Sequence, residues 1–355
     1  MSCLKCFYLM QVIPDSCGNA NIYACHFNRY LPGNAFVVKK DLAAAWNARP
    51  LQFQRQMALN NDQSRCFGAH CSVHLFQMPD ENKMTASNGC VPRAVQHRQL
   101  KLDYFPLVME VYPSLECNNR CVFCFHGKDD ASDGKFRLRQ HFIQEFKDVF
   151  FTRAEWIILN GGEPLFSQGG RDLLEWLLAS GLKKRIILKT NGVLLEQFGI
   201  ERLAAKGVEM QISLLGMNRD TYRKTAGADN FGRVMGAVEK FLSLGAGHLL
   251  GFSFIVCDEN VQDAEAFGYF IERHPQFRGI LWNEMFHGAK HWGLISQLQK
   301  KFSHLYPRLQ FHYMDNNFRR RLWRARYWPL HWLKYRAFNP QTCVTCALPG
   351  AGNVA

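Results

Sequence analysis

The chain has 355 residues, 47% hydrophobic and 21% charged, and its 43 Lys and Arg against 30 Asp and Glu give a formal net charge of +13. That length predicts one large domain with a smaller one, or two domains, and the composition is that of a globular protein with a sizeable core. A membrane-spanning helix is excluded, since no run approaches about 18 uncharged apolar residues. The basic balance admits a nucleic acid, an acidic peptide, a phosphorylated substrate or an anionic membrane as partner and selects none of them.

The first residues, MSCLKCFYLMQVIPDSC, have a short apolar run, a weak basic start and no small-residue cleavage site. They read as mature structure, which predicts a cytoplasmic protein. Residues 1 to about 100 are rich in Cys, Asn, Gln and Gly with few periodic segments, and one helix is expected at Asp41–Ala48 with Asp41 as its cap. From about residue 107 the texture changes. LVMEVYP (107–113) and EWIILN (155–160) read as buried strands, the second ending in a glycine turn. DLLEWLLASG (172–181) puts Leu173, Leu174, Leu177 and Leu178 on one helical face and stops at a glycine. RIILKTNG is a third strand with its turn, and VEMQISL, alternating Val208, Met210, Ile212 and Leu214, a fourth. FGRVMGAVEKFLSLG carries Phe231, Val234, Val238 and Phe241 at helical spacing. HLLGFSFIV is a fifth strand, VQDAEAFGYFIERH a helix and GILWNEMF a sixth strand. Strands alternating with helices at this spacing predict an α/β fold with a parallel sheet, closing partly into a (β/α)6 barrel like an incomplete TIM barrel. In such folds the site lies on loops at the C-terminal ends of the strands. The cysteine trio, GGEP, TNG and Ser213 all fall there.

Thirteen cysteines are many for a chain in a reducing compartment, where clustered thiols read first as metal ligands or catalytic groups. Cys257 stands alone after an apolar run and reads as a packing thiol. Cys117, Cys121 and Cys124 crowd into CNNRCVFC. Three thiolates from one loop can each bind an iron of a [4Fe–4S] cube, whose ordinary electron-transfer form takes four cysteines. Three leave one iron open to a substrate or cofactor. Zinc usually takes four ligands in CxxC pairs, so the spacing is a poor zinc half-site.

CNNRCVFC, with an aromatic before its last cysteine, resembles the CxxxCxxC signature of radical S-adenosylmethionine enzymes. The resemblance implies that the open iron chelates the amino and carboxylate groups of the methionyl part of S-adenosylmethionine. An electron from the cube then breaks a carbon–sulfur bond, and a 5′-deoxyadenosyl radical abstracts a hydrogen from substrate. It also implies an electron donor such as flavodoxin or ferredoxin. NGGEP (160–164), on its own a plain turn, matches the family's GGEP loop, so Gly161, Gly162 and Glu163 are expected to receive the cofactor's ammonium. Asn191 of KTNG is expected beside the cofactor, and Ser213 of QISLLG at its ribose, a strand-end cap being the alternative. Asn260 and Met285 lie near where adenosine contacts occur in the family.

The segment IYACHFNRYLPGNAFVVKKDLAAAWNARPLQFQRQMALNNDQSRCFGAHC resembles a SPASM-type domain, which binds auxiliary iron–sulfur clusters and usually follows the radical domain. IPDSCGNANIYAC (13–25) matches its opening hairpin, followed by a short Leu–Trp helix and an Arg-containing helix. Here the module comes first, and CFGAHC has four residues between its cysteines where two are usual. QTCVTCALPGAG (341–352) resembles the start of a second such module. Either Cys343 and Cys346 fold back to join Cys6, Cys25, Cys66, Cys71 and Cys90 around an auxiliary cluster, or the chain is a piece of a longer tandem protein. Structural zinc or unligated thiols stay open for this set, and His70, His74 and His126 read as surface or loop residues.

FRRRLWRARYWPLHWLKYRAF (318–338) suits a membrane surface, nucleobase stacking, a phosphorylated carrier, or an amphipathic helix packed on the barrel. It carries no nucleic-acid motif. The expected organisation is an auxiliary module over 1–100, a radical barrel over 101–315 and a basic aromatic tail over 316–355. The expected activity is radical modification of a peptide or protein, of the oxidoreductase or maturase type. The alternatives are a carbohydrate, lipid-linked or other small-molecule substrate, and a non-catalytic metal- or nucleic-acid-binding protein. Catalytic residues on the substrate side are not identified by the sequence.

Overall fold

The alternation of apolar runs and amphipathic segments becomes one ten-stranded sheet in a computed structural model that describes residues 4–24, 36–61, 83, 86, 88–124, 136–283 and 291–312. Its strands are Leu9–Pro14 (β1), Ala20–Tyr23 (β2), Phe36–Val38 (β3), Val108–Val111 (β4), Trp156–Leu159 (β5), Arg185–Thr190 (β6), Glu209–Ser213 (β7), Leu250–Val256 (β8), Arg278–Asn283 (β9) and Leu309–His312 (β10). Their order is β10-β9-β8-β7-β6-β5-β4-β1-β2-β3. The run from β10 to β1 is parallel throughout; β2 and β3 are added antiparallel. β4 and β5 are buried at every position, the signature of parallel strands covered on both faces.

The helices between strands bury the expected stripes. Gln168–Ala179 buries Leu173, Leu174, Leu177 and Leu178, and Ser167 caps it by accepting from the Gly170 amide at 3.2 Å. Phe231–Ser243 buries Val234, Val238 and Phe241 together with Ala237, while Phe231 packs at the margin of the core. All six strands expected from residue 107 onward form in the expected order. The reading passed over β10 and the helices Gln140–Glu145, Arg219–Ala226 and Trp292–Lys301.

The N-terminal residues are more regular than their texture suggests. The hairpin expected over 13–25 forms as β1 and β2, paired from Gln11↔Tyr23 to Pro14↔Ala20, and Asp41 caps the helix Leu42–Ala45 by accepting from the Ala44 amide at 2.9 Å. β1 itself lies beside β4 in register Leu9↔Val108, so this region shares the barrel's sheet and its core. Its second tie is Arg55, fully buried in the helix Arg49–Leu59. The guanidinium donates to the carbonyls of Cys6 (3.0 Å), Leu100 (2.7 Å) and Trp46 (2.7 Å) and to Asn47 Oδ1 (3.1 Å), and it stacks on the Trp46 ring at 4.4 Å. Burial lowers its pKa to about 10, so it stays charged at neutral pH. A third tie is Glu145, whose carboxylate accepts from the first amides of the Leu42–Ala45 helix, Leu42 (3.1 Å) and Ala43 (2.8 Å). No helix among the described residues is long and apolar enough to cross a membrane.

Arg55→Ala strips the carbonyls of Cys6, Leu100 and Trp46 of this donor at once, while Asn47 Oδ1 keeps the Leu102 amide. With roughly 1–3 kcal/mol for each buried group left unpaired, the expected loss is at least about 3 kcal/mol of unfolding free energy. Denaturant unfolding of the cluster-free chain measures it.

Candidate active site

Because β4 to β8 run parallel, their C-terminal ends share one edge of the sheet. The loops that leave it carry Ser114–Cys124, Asn160–Pro164, Asn191, Ser213 and Cys257. The cysteine loop is held from three sides. Before it, Leu115 donates to the Phe136 carbonyl (2.9 Å), and the buried Glu116 carboxylate accepts from Ser114 Oγ (3.0 Å) and Arg137 Nε (2.7 Å), Arg137 making a second contact through its other nitrogen. Behind it, Arg120 and Val122 donate to the carbonyls of Ala226 (2.9 Å) and Thr225 (3.0 Å), at the end of the helix Arg219–Ala226. Within it, the Cys124 amide closes a turn onto the Cys121 carbonyl at 3.0 Å.

The third support is the glycine loop. Gly162 donates to the Ser114 carbonyl (3.1 Å) and Glu163 to the Glu116 carbonyl (2.7 Å). A Cβ on Gly162 would stand 2.2 Å from the carbonyl oxygens of both Leu115 and Glu116, and one on Gly161, at φ +142°, 2.4 Å from Ser114 O. The two glycines are therefore required by the approach of one strand-end loop to the next. Glu163, buried with 1% exposure, turns its carboxylate inward. Oε1 accepts from the Leu165 amide (3.1 Å) and Thr190 Oγ1 (2.8 Å), and Oε2 from the Asn191 amide (2.6 Å) and Thr190 Oγ1 (3.0 Å). Burial pushes this carboxyl up to about 7 against the pull of those donors. The side chain is thus a strut between the β5 and β6 loops. The carbonyls of Gly161 and Gly162 accept no hydrogen bond among the described residues, and they are this loop's open acceptors.

Asn191 carries the strut on to the metal-ligand candidates. Its amide side chain donates to Cys117 Sγ (3.8 Å) and Asn118 Oδ1 (2.7 Å), while its Oδ1 accepts from the Val193 amide (3.0 Å). The Asn119 amide also donates to Cys117 Sγ, at 3.4 Å. Ser213 is half-buried at the end of β7, and its hydroxyl bonds to no described residue. Asn260 is wholly buried and fully engaged, accepting from the Cys257 amide (2.9 Å) and donating to the carbonyls of Leu215 (3.1 Å) and Ile255 (2.9 Å). It shapes the β8 loop through these bonds.

Cys117, Cys121 and Cys124 are all half-buried and act on one another electrostatically. Burial pushes the Cys117 thiol up to about 12, and Cys121 higher still, with each neighbouring cysteine adding to the shift. Metal coordination deprotonates such thiols outright. Among the described residues no three of His, Cys, Asp and Glu close on a single-ion site. The trio's donor set, three sulfurs on one braced loop with N–H groups already on Cys117, suits an iron–sulfur cube, in which each thiolate takes a separate iron. Cys257 is buried and within electrostatic reach of Cys121, and Glu259 acts on its thiol.

The auxiliary set is divided. Cys25, Cys66, Cys71, Cys343 and Cys346 lie outside the described residues, as do His70, His74, His126, Met285 and the tail 318–338. Cys6 precedes β1 and donates weakly to the Gln54 carbonyl at 3.8 Å, and Cys90 opens the helix Cys90–Gln96. Both act on Tyr104, whose hydroxyl donates to the Phe7 carbonyl at 3.0 Å. Since β1 and β4 are parallel, these two thiols sit at the sheet edge opposite the trio. Sequence reasoning missed Glu116, Asn118, Asn119 and Arg137, which brace the cysteine loop, and Tyr222, which stands near it. Only the tertiary fold brings Tyr222 there, and no local spacing marks it.

Gly162→Ala is expected to cost about 1–3 kcal/mol, the range of overpacking, and to lower the iron bound after anaerobic reconstitution. Gly236→Ala, in a helix where a new Cβ meets nothing within 4 Å, serves as control and is expected to stabilise by up to about 1 kcal/mol with iron unchanged. Iron assay and thermal unfolding of both variants check this.

Residues 111–269 match the Radical SAM superfamily. The chain is 33% identical over 132 residues to the AdoMet-dependent heme synthase of Methanosarcina barkeri, covering 36% of this chain and 34% of that one. It is 29% identical over 156 residues to a probable GTP 3′,8-cyclase of Saccharolobus solfataricus, covering 42% and 48%. The chain thus spans about a third to a half of the length of these curated relatives. Among solved structures it is similar to Streptococcus suis SuiB bound to precursor peptide SuiA, with a TM-score of 0.49 at 14% identity, covering 85% of this chain and 72% of that one. The cysteine loop, the glycine loop and Asn191 all lie within the matched span, so the site sits in a stretch that matches the Radical SAM superfamily.

Proposed function

We propose that this chain cleaves S-adenosylmethionine reductively at a [4Fe–4S] cluster held by Cys117, Cys121 and Cys124 and directs the resulting hydrogen abstraction at a peptide or protein. The observation that carries the first part is the set of three thiols on one strand-end loop. The cluster and its cofactor, when bound, supply the electron and the carbon-centred radical. The residues of the chain position them. Cys117, Cys121 and Cys124 anchor three irons. Asn191 and the Asn119 amide hold Cys117, and the open carbonyls of Gly161 and Gly162 accept the methionyl ammonium. Ser213 meets the ribose from the end of β7. Glu163 keeps the glycine loop and Asn191 in register.

The substrate part rests on the SPASM-like pattern of the N-terminal segment and on its hairpin. A second reading, a small-molecule substrate, is favoured by the names of the curated relatives, a heme synthase and a GTP cyclase. Cytoplasmic placement and a flavodoxin- or ferredoxin-type electron donor belong to the same proposal.

Cys121→Ala is expected to abolish 5′-deoxyadenosine release under dithionite and S-adenosylmethionine, whereas Cys257→Ala keeps both the iron content and the release. Release by the Cys121 variant contradicts the ligand assignment, and iron lost with Cys257 makes that thiol a ligand. For substrate class, lysate of deuterated host cells is split by size into peptide and small-molecule fractions and offered during turnover. Deuterium entering 5′-deoxyadenosine from the peptide fraction supports the first reading, and transfer only from the small-molecule fraction overturns it.

A further inference from the structure

Three donor-capable side-chain atoms among the described residues are buried with no hydrogen-bond partner: Asn119 Nδ2, Tyr222 Oη and Thr225 Oγ1. All three lie around the cysteine loop. Asn119 is inside CNNRCVFC, its Oδ1 held by Asn230 Nδ2 at 3.3 Å. Tyr222 and Thr225 stand three residues apart on one face of the helix Arg219–Ala226, whose last carbonyls receive the amides of Arg120 and Val122. Tyr222 and Thr225 are both fully buried. The charges of Cys121, Cys117 and Glu163 act on the Tyr222 hydroxyl, and Asn119 lies beside it without reaching hydrogen-bonding geometry. Burial pushes the phenol above its ordinary range, so it remains a proton donor.

Buried polar groups are almost always paired, and each one left unpaired is costly. A threonine in a helix ordinarily turns its hydroxyl back onto the preceding turn, and Thr225 does not. Three idle donors around the loop that carries three thiols indicate an acceptor that arrives with the bound group. We propose that Tyr222, Thr225 and Asn119 donate hydrogen bonds to the sulfur atoms of the cluster and its thiolates, and so set its reduction potential. The proposal rests on the cluster assignment given under Proposed function. They are positioning residues: they stabilise the more negative, reduced cluster, because donors near sulfur favour added negative charge. The helix Arg219–Ala226 thereby couples the backbone support of the cysteine loop to the electronics of what the loop holds.

Tyr222→Phe and Thr225→Val remove one hydroxyl each with little change of shape. Two readouts apply: the cluster's midpoint potential by EPR-monitored titration of the reconstituted full chain, and the melting temperature of the cluster-free chain. The expected result is undiminished iron with a more negative potential. A tenfold fall in the reduced fraction at fixed potential corresponds to about 59 mV for a one-electron couple. The cluster-free variants are expected to melt no lower than the parent, since the hydroxyls have no partner to lose. Unchanged potentials with full iron overturn the proposal alone. So does a lower melting temperature of the cluster-free Tyr222→Phe chain, which would place the hydroxyl's partner within the protein. A parent chain that assembles no cluster overturns the assignment under Proposed function, and this proposal with it.

Discussion

Everything at the site depends on how closely the β5 loop approaches the β4 loop. Gly162 sits where any side chain would collide with the carbonyls of Leu115 and Glu116, the residues just before Cys117. That contact lets Ser114 and Glu116 accept the amides of Gly162 and Glu163. Glu163 then reaches across to Thr190 and the Asn191 amide, and Asn191 returns to Cys117. Three successive strand ends are thereby closed into a ring of hydrogen bonds around the thiols. A cluster needs its ligands placed within narrow limits, and ligands on loops achieve this only when the loops brace one another. The glycines and the buried carboxylate supply that bracing.

Beneath the ring lies a second buried polar group. Glu110, wholly buried on β4, accepts from Gln11 of β1 (2.9 Å), Asn160 after β5 (2.8 Å) and Lys189 of β6 (2.8 Å). A buried ion pair gains little by itself, because desolvation offsets the attraction. Here the additional hydrogen bonds satisfy the carboxylate and fix the relative positions of four neighbouring strands. Asn160 also donates to the Tyr112 hydroxyl (2.7 Å) and accepts from the Gly161 amide through Oδ1 (2.8 Å), so it links this interior group directly to the glycine loop. The N-terminal strand is part of the same arrangement through Gln11, which gives β1 a role in supporting the site from below.

Much of the barrel was legible because each strand from β4 to β9 is an apolar run bounded by turn residues, and each long helix shows a leucine or phenylalanine stripe. CNNRCVFC and NGGEP could be placed at strand ends for the same reason. Other features could not be read locally. The helix Arg219–Ala226, RDTYRKTA, is mostly polar and gives no apolar stripe, so Tyr222 and Thr225 were invisible as neighbours of the cysteines. LMQVIP looked like part of an irregular segment because cysteine, asparagine and glycine surround it, and its partner β4 lies about a hundred residues away. Glu163 was legible as a site residue. Its inward direction, toward Thr190 and Asn191, is a property of the packed loops and has no sequence signature.

The central claim is that the protein supplies three ligands to the cluster and leaves the fourth iron to the cofactor. Mössbauer spectroscopy of the anaerobically reconstituted full chain, enriched in iron-57 and recorded with and without S-adenosylmethionine, tests it most directly. The account predicts that one iron of the four changes its isomer shift and quadrupole splitting when S-adenosylmethionine binds, as its coordination number rises. Four irons of uniform tetrahedral sulfur coordination, indifferent to S-adenosylmethionine, would contradict it.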